Sequence, residues 1–141
     1  MKNIVLFLLA FYASSFLMAQ NPISKNTEHK IIFQLSTPDT MAHKALMKQL
    51  GNILTVAPNT KIEIVCHGPG LDILLTNKSV AAEKVKSFIG RGVVFNACEF
   101  SIKERNVDKN LIFKEATYVP AGIVEIVSKQ EQGWSYIKAG F

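Results

Sequence analysis

Cysteine is scarce in this chain of 141 residues, and several other carriers of chemistry are scarce with it. Cys66 and Cys98 are its only thiols, and neither stands in a C-x-x-C pair. His29, His43 and His67 show no H-x-x-x-H spacing and no carboxylate cluster accompanies them, so the usual zinc patterns are missing and no metal is expected. The turn Thr37-Pro38-Asp39-Thr40 lacks the glycines that let backbone amides approach a phosphate. That disfavours a flavin-type electron carrier, and no cofactor is expected. Charge of one sign is never concentrated: 16 basic and 11 acidic side chains are scattered for a net charge of +5. Such a pattern describes a solvated surface better than a nucleic-acid interface. Internal repeats and low-complexity tracts are lacking too.

The long hydrophobic run needed to cross a membrane is also missing. What the N-terminus holds is shorter. Lys2 supplies a positive end, Ile4 to Tyr12 an apolar stretch, and Leu17-Met18-Ala19 a small-residue cleavage site before Gln20. Residues 1–19 therefore read as a secretory signal, and the mature chain is expected outside the cytoplasm, in the periplasm. No cysteine follows at the cleavage point, so a lipid anchor is not expected. Residues 20–28 are polar and aperiodic and read as a flexible leader. Residues 29–141 remain as one domain, ample for a single core at 48% hydrophobic composition over the chain.

Within that domain apolar strands alternate with helical patterns. His29–Ser36 is a continuous apolar strand, and Thr37 with Pro38 is expected to cap and open a helix carrying Leu46, Leu50, Ile53, Leu54 and Ala57. Lys61–Cys66 is a second strand, broken by His67-Gly68-Pro69-Gly70. A short helical turn is expected at Leu71–Leu75, then a helix over Asn77–Ile89, then a third strand over Val93–Cys98. Ser101-Ile102-Lys103-Glu104 has the form of a capping box and should open the next helix. Ala116–Val119 is a fourth strand, Ile123–Gln130 a helix, and Trp134–Lys138 a fifth strand. This order implies an α/β fold, a flavodoxin-like five-stranded and mainly parallel sheet with helices on both faces.

Cys98 ends the third strand, and strand C-termini are where open α/β sheets place their ligands. A thiol there either reacts or packs inertly. If the capping box starts the helix at Ser101, Cys98 lies three residues upstream of the helix dipole. Glu99 opposes thiolate formation, and Lys103 and Arg105 are the cations that could offset it. His67 lies at the same sheet edge, where Gly68 and Gly70 permit unusual backbone angles; it could activate a thiol, bind an anionic ligand, or simply bond to backbone. His29 and His43 are assigned to the surface. Cys66 reads as a small core side chain. With the strand order 2-1-3-4-5, strand one separates the two cysteines by roughly 9–10 Å, so free thiols are expected rather than a bridge. Trp134 and Tyr136 alternate on the last strand and are assigned to core or subunit contacts.

The series HGPG (His67–Gly70), GVVFNAC (Gly92–Cys98), VPAG (Val119–Gly122) and GWSYIK (Gly133–Lys138) resembles the DsrE/DsrF-like proteins of sulfur relay over about residues 29–139. The resemblance implies a compact α/β subunit, often a homo-oligomer, and in some members a persulfide on a cysteine. Cys98 matches the cysteine of the type G-V-x-[FV]-x-x-C. Some family members carry a second cysteine or a glycine just after the first, as in C-G-x-C, whereas this chain runs Cys98-Glu99-Phe100-Ser101 and lacks the second thiol. The expectation is an exported protein that binds or carries sulfane sulfur at Cys98, with His67, Gly68 and Gly70 in the binding site. Its partners would be a small sulfur donor or a partner protein, with no nucleic acid and no stable membrane anchor. The alternative is a non-catalytic ligand-binding or assembly subunit with a structural cysteine.

Overall fold

A computed structural model describes residues 28–140. The expected signal and all of the leader except Glu28 lie outside the described residues. Five strands form one sheet: β1 (Lys30–Leu35), β2 (Lys61–Cys66), β3 (Val94–Cys98), β4 (Thr117–Val119) and β5 (Ser135–Ala139). They are joined by α1 (Thr40–Val56), a 3-10 helix (Gly68–Leu74), α2 (Ala82–Gly90), α3 (Glu99–Glu104), a 3-10 turn (Lys109–Leu111) and α4 (Gly122–Glu131). All pairings are parallel, giving the flavodoxin-like α/β architecture expected from the alternation.

The strand order is β4-β3-β2-β1-β5, which corrects the expected 2-1-3-4-5. From β1 to β4 the chain steps in one direction across the sheet, and right-handed crossovers then put every connection on the same face. Only the return from β4 to β5, past β1, reverses direction and drops α4 onto the opposite face. The packing follows this division. Phe33, Leu35, Ile62, Ile64, Cys66, Phe95 and Ala97 join Leu46, Leu50, Leu71, Val85 and Ile102 in one large core. Under α4 the core is thin: Ile32, Val65 and Ile126, with Trp134 against them.

The helices hold that arrangement through their apolar faces. In α1 the buried residues Ala42, His43, Leu46, Met47, Leu50 and Leu54 recur at helical spacing. Its cap is Asp39, whose carboxylate accepts from the Met41 amide at 2.8 Å, so Thr37 and Pro38 precede the cap instead of forming it. α2 starts later than its apolar pattern suggested, at Ala82, because the preceding residues form turns in which the Lys78 and Ser79 amides bond back to the Leu75 carbonyl. His43 is not a surface residue: it is buried, and its Nε2 lies 2.8 Å from the Thr37 carbonyl. None of the described helices is long and apolar enough to cross a membrane.

Candidate functional site

The connections after β3 and β4 leave the sheet on opposite faces, so the C-terminal ends of these two strands are the place in this fold for a ligand crevice. This is the topological switch point at which open α/β sheets bind ligands. Cys98 ends β3, and Pro120-Ala121-Gly122 leads from β4 into α4. The two segments meet there: the Gly122 amide donates to Cys98 Sγ at 3.2 Å.

Sheet register explains which side chains share the crevice. Cys66 stands opposite Ala97, so Cys98 lies one position further along and points to the other face. The two cysteines occupy adjacent strands, which overturns the expected separation by strand one. They remain free thiols because the sheet itself lies between their side chains. Cys66 is fully buried in the large core, and burial pushes its proton affinity up, which disfavours its thiolate. His67 follows β2 in step with Cys98 and shares its face.

Gly122 is what allows α4 to sit over both. A Cβ built there would lie 2.9 Å from Val65 Cγ1, 3.3 Å from His67 Cβ and 3.4 Å from Cys98 Cβ. Only a residue without a side chain brings the first amide of this ten-residue helix onto the sulfur. A second glycine serves the loop: a Cβ on Gly70 would fall 2.1 Å from the Leu35 carbonyl oxygen, so Gly70 lets the 3-10 helix press against the end of β1. Gly68, with φ of 50°, makes the sharp exit from His67.

The electrostatics around Cys98 pull both ways. Burial raises the thiol's proton affinity, for the residue is only 4% exposed. The Ser101 hydroxyl and the amides of Ser101, Gly122 and Phe100 favour the thiolate, and together they outweigh burial, so the pKa is lowered. The Ser101 oxygen accepts from the Gly68 amide at 2.8 Å, so the hydroxyl that favours the thiolate is held by the loop. The expected capping role of Ser101 is therefore corrected. α3 begins at Glu99 with Cys98 as its N-cap residue, and Ser101 lies inside the helix, tying it to the His67–Gly70 loop.

The charged residues flagged by the sequence stand elsewhere. Glu99 is exposed and paired with Lys109 at 3.1 Å. Lys103 is exposed, while Arg105 donates to the Gly68 carbonyl and to Asp72, both at 2.7 Å. Arg105 thus braces the loop and does not face the thiol. His67 is half-buried, and burial lowers its pKa. Its Nε2 is 2.8 Å from Gln34 Nε2 on β1, and Tyr136 on β5 donates to Gln34 Oε1. Ser101, Gln34 and Tyr136 are site neighbours that the sequence does not identify, whereas Pro120-Ala121-Gly122 could be read from it either as part of the cleft floor or as a plain strand-to-helix turn. A serine three residues after a strand-end cysteine was the one local signal available, and it has the same form as a capping box. Among the described residues no group of three or more His, Cys, Asp or Glu comes together to hold a metal ion.

The family model of the DsrE/DsrF-like family matches residues 24–139. A structure of a protein of unknown function from Methanobacterium thermoautotrophicum is similar at a TM-score of 0.75 and 24% identity, covering 79% of this chain and 99% of its own. Another, a conserved protein of unknown function from Bacteroides thetaiotaomicron, has a TM-score of 0.65 at 15% identity, covering 84% and 99% respectively. No curated protein matches the sequence.

Proposed function

Because the chain belongs to the DsrE/DsrF-like family, we propose that it is an exported sulfur carrier that binds sulfane sulfur as a persulfide on Cys98. The observation that carries this reading is the Gly122 amide on Cys98 Sγ at 3.2 Å, at the crevice where the sheet changes face. An amide on Sγ stabilises the thiolate that attacks the donor and that is left again when sulfur is released. The exchange is balanced without redox change. The Cys98 thiolate attacks the outer sulfur of a donor persulfide, a new S–S bond forms, and the donor's S–S bond breaks as its thiolate leaves with the electron pair. Release to an acceptor thiol runs the same step in reverse. His67 and the Gly68–Gly70 loop border the site that receives the donor, a small persulfide or a partner protein.

Intact mass of the protein after exposure to a persulfide donor tests this. The expected result is one added sulfur atom on the wild type and none on Cys98→Ser. A wild-type mass that stays unchanged, with Cys98 inert to alkylation, overturns it. A gain retained by Cys98→Ser moves the chemistry to Cys66. Export is checked on cells making the full chain, where a periplasmic product beginning at Gln20 is expected and a cytoplasmic product beginning at Met1 refutes it.

A second reading rests on a different observation. Ile123, Val124 and Val127 on α4 are 54%, 62% and 47% exposed, an apolar stripe on the helix that covers the site. In this reading the protein is an assembly subunit whose cysteine is structural, and the stripe packs on another copy. Self-association is compatible with sulfur carriage as well, and the mass experiment separates the two. Sedimentation of Val124→Glu is expected to show a smaller species than wild type; identical sedimentation refutes assembly through α4.

A further inference from the structure

Three side chains from three separate elements form a hydrogen-bonded row on the α4 face: Tyr136 on β5, Gln34 on β1 and His67 after β2. Their alignment is a consequence of register. Ile32 pairs with Tyr136, Gln34 with Val65 and Lys138, and the pleat turns Ile32, Gln34, Val65 and Tyr136 to the same side. The His67 amide donates to the Leu35 carbonyl at 3.0 Å, which carries the ladder one residue past β2 and keeps His67 in step. A polar glutamine on an otherwise apolar central strand is costly unless its amide is bonded. Here both ends are.

The direction of the row determines what the imidazole can do. The Tyr136 hydroxyl donates to the Gln34 oxygen, so the carboxamide turns its NH2 group to His67. That group can only donate, and it stands 2.8 Å from Nε2. In this carboxamide orientation Nε2 presents its lone pair, and in a neutral ring the single proton resides on Nδ1. Burial of His67 lowers its pKa and so favours the neutral ring. Free histidine prefers the opposite tautomer, so the environment selects this one.

We propose that Gln34, held by Tyr136, is a positioning residue that locks His67 as its Nδ1–H tautomer, making the ring a hydrogen-bond donor to anionic sulfur at Cys98 and withdrawing it as a base. The neighbourhood fits: the β-carbons of His67 and Cys98 both approach the same point above Gly122, at 3.3 and 3.4 Å from it. With its only lone pair engaged by Gln34, His67 cannot take the Cys98 proton without breaking that bond. Thiolate formation is then left to the Gly122 amide and the Ser101 hydroxyl, and His67 contributes to holding the anion once formed. The donor role rests on the sulfur-carrier reading for its purpose, but the tautomer does not.

Nitrogen-15 NMR of histidine-labelled full-length protein at neutral pH tests the lock, with the His67 signals identified by their loss in His67→Gln. The expected spectrum has a protonated Nδ1 and a bare Nε2. Tyr136→Phe releases the glutamine oxygen at a site already 39% exposed, where the fold tolerates the change. The ratio of Nδ1–H to Nε2–H forms should fall there about 2- to 10-fold, the value of one hydrogen bond. Gln34→Glu replaces the donor with an acceptor and should protonate Nε2. A wild-type ring protonated at Nε2, or tautomer patterns unchanged in both variants, overturns the lock. Titrating Cys98 to its thiolate should shift the Nδ1–H proton in wild type and not in Cys98→Ser; no shift overturns the donor role. An expected tautomer pattern together with failed sulfur uptake refutes the carrier reading alone.

Discussion

Ser101 accepts the Gly68 amide on its oxygen, and its hydroxyl lowers the Cys98 pKa, so one side chain links the backbone of a loop to the state of a thiol. Removing it should be visible in both. Ser101→Ala leaves the Gly68 amide unpaired, at a cost of about 1–3 kcal/mol. The same change withdraws a donor from the thiolate, so the Cys98 pKa rises. Alkylation rate followed against pH reads this as a midpoint displaced to higher pH; a midpoint at the wild-type position would show that Ser101 does not act on the sulfur. Cys66 does not interfere with the assay, since it is wholly buried and its thiol is held protonated.

α4 is the element that makes the crevice, and its contact with the sheet depends on its first residue. Gly122→Ala places a methyl group 2.9 Å from Val65 Cγ1, and Val65 is fully buried and cannot retreat. Overpacking of this kind costs about 1–3 kcal/mol. The helix end is expected to lift, lengthening the amide–sulfur contact and raising the thiol pKa. Gly90→Ala, where a Cβ meets nothing within 4 Å, is the control and should leave both properties unchanged or gain slightly in stability. Thermal denaturation of the two variants checks the contrast, and equal melting temperatures would mean that the helix adjusts freely. α3 and the 3-10 helix work differently, through polar bonds: Ser101 and Arg105 on one side, the Gly68 amide and carbonyl and Asp72 on the other.

Across the whole molecule, protonation of the site is linked to folding. Burial depresses the His67 pKa below the ordinary 6.5, so the unfolded chain binds this proton more readily than the folded one. Stability from this group is present above pH 6.5 and is lost as pH falls from there through the folded value. In His67→Gln that dependence disappears. The melting temperature of the variant should fall less steeply than that of wild type as pH drops below 6.5, and parallel curves would remove His67 from the linkage. The asymmetry of the two cores has a related consequence. The large core on the face of α1, α2 and α3 carries the fold, while Ile32, Val65 and Ile126 beneath α4 bury little. The side of the sheet that carries the candidate site is therefore the one that opens at lower cost.

Much of this was legible in the sequence because its signals are local. Strand and helix periodicity, the break at His67-Gly68-Pro69-Gly70 and the thiol at the end of Val94–Cys98 depend only on neighbouring residues. The five parallel strands and the family resemblance followed from them. Strand order did not follow, because nothing in a short apolar run states which other run it will pair with. That order decided the rest: β2 beside β3 set Cys66 and Cys98 on opposite faces, and the return past β1 brought Gly122 to the sulfur. Ser101 could be taken for a cap and Gln34 for an ordinary strand residue because hydrogen bonds across 33 positions leave no mark on local pattern. The sequence by itself determined the strands, the thiol and the loop beside it. Only the tertiary structure decided which amide, hydroxyl and glutamine surround them, since those contacts exist only once the sheet has closed.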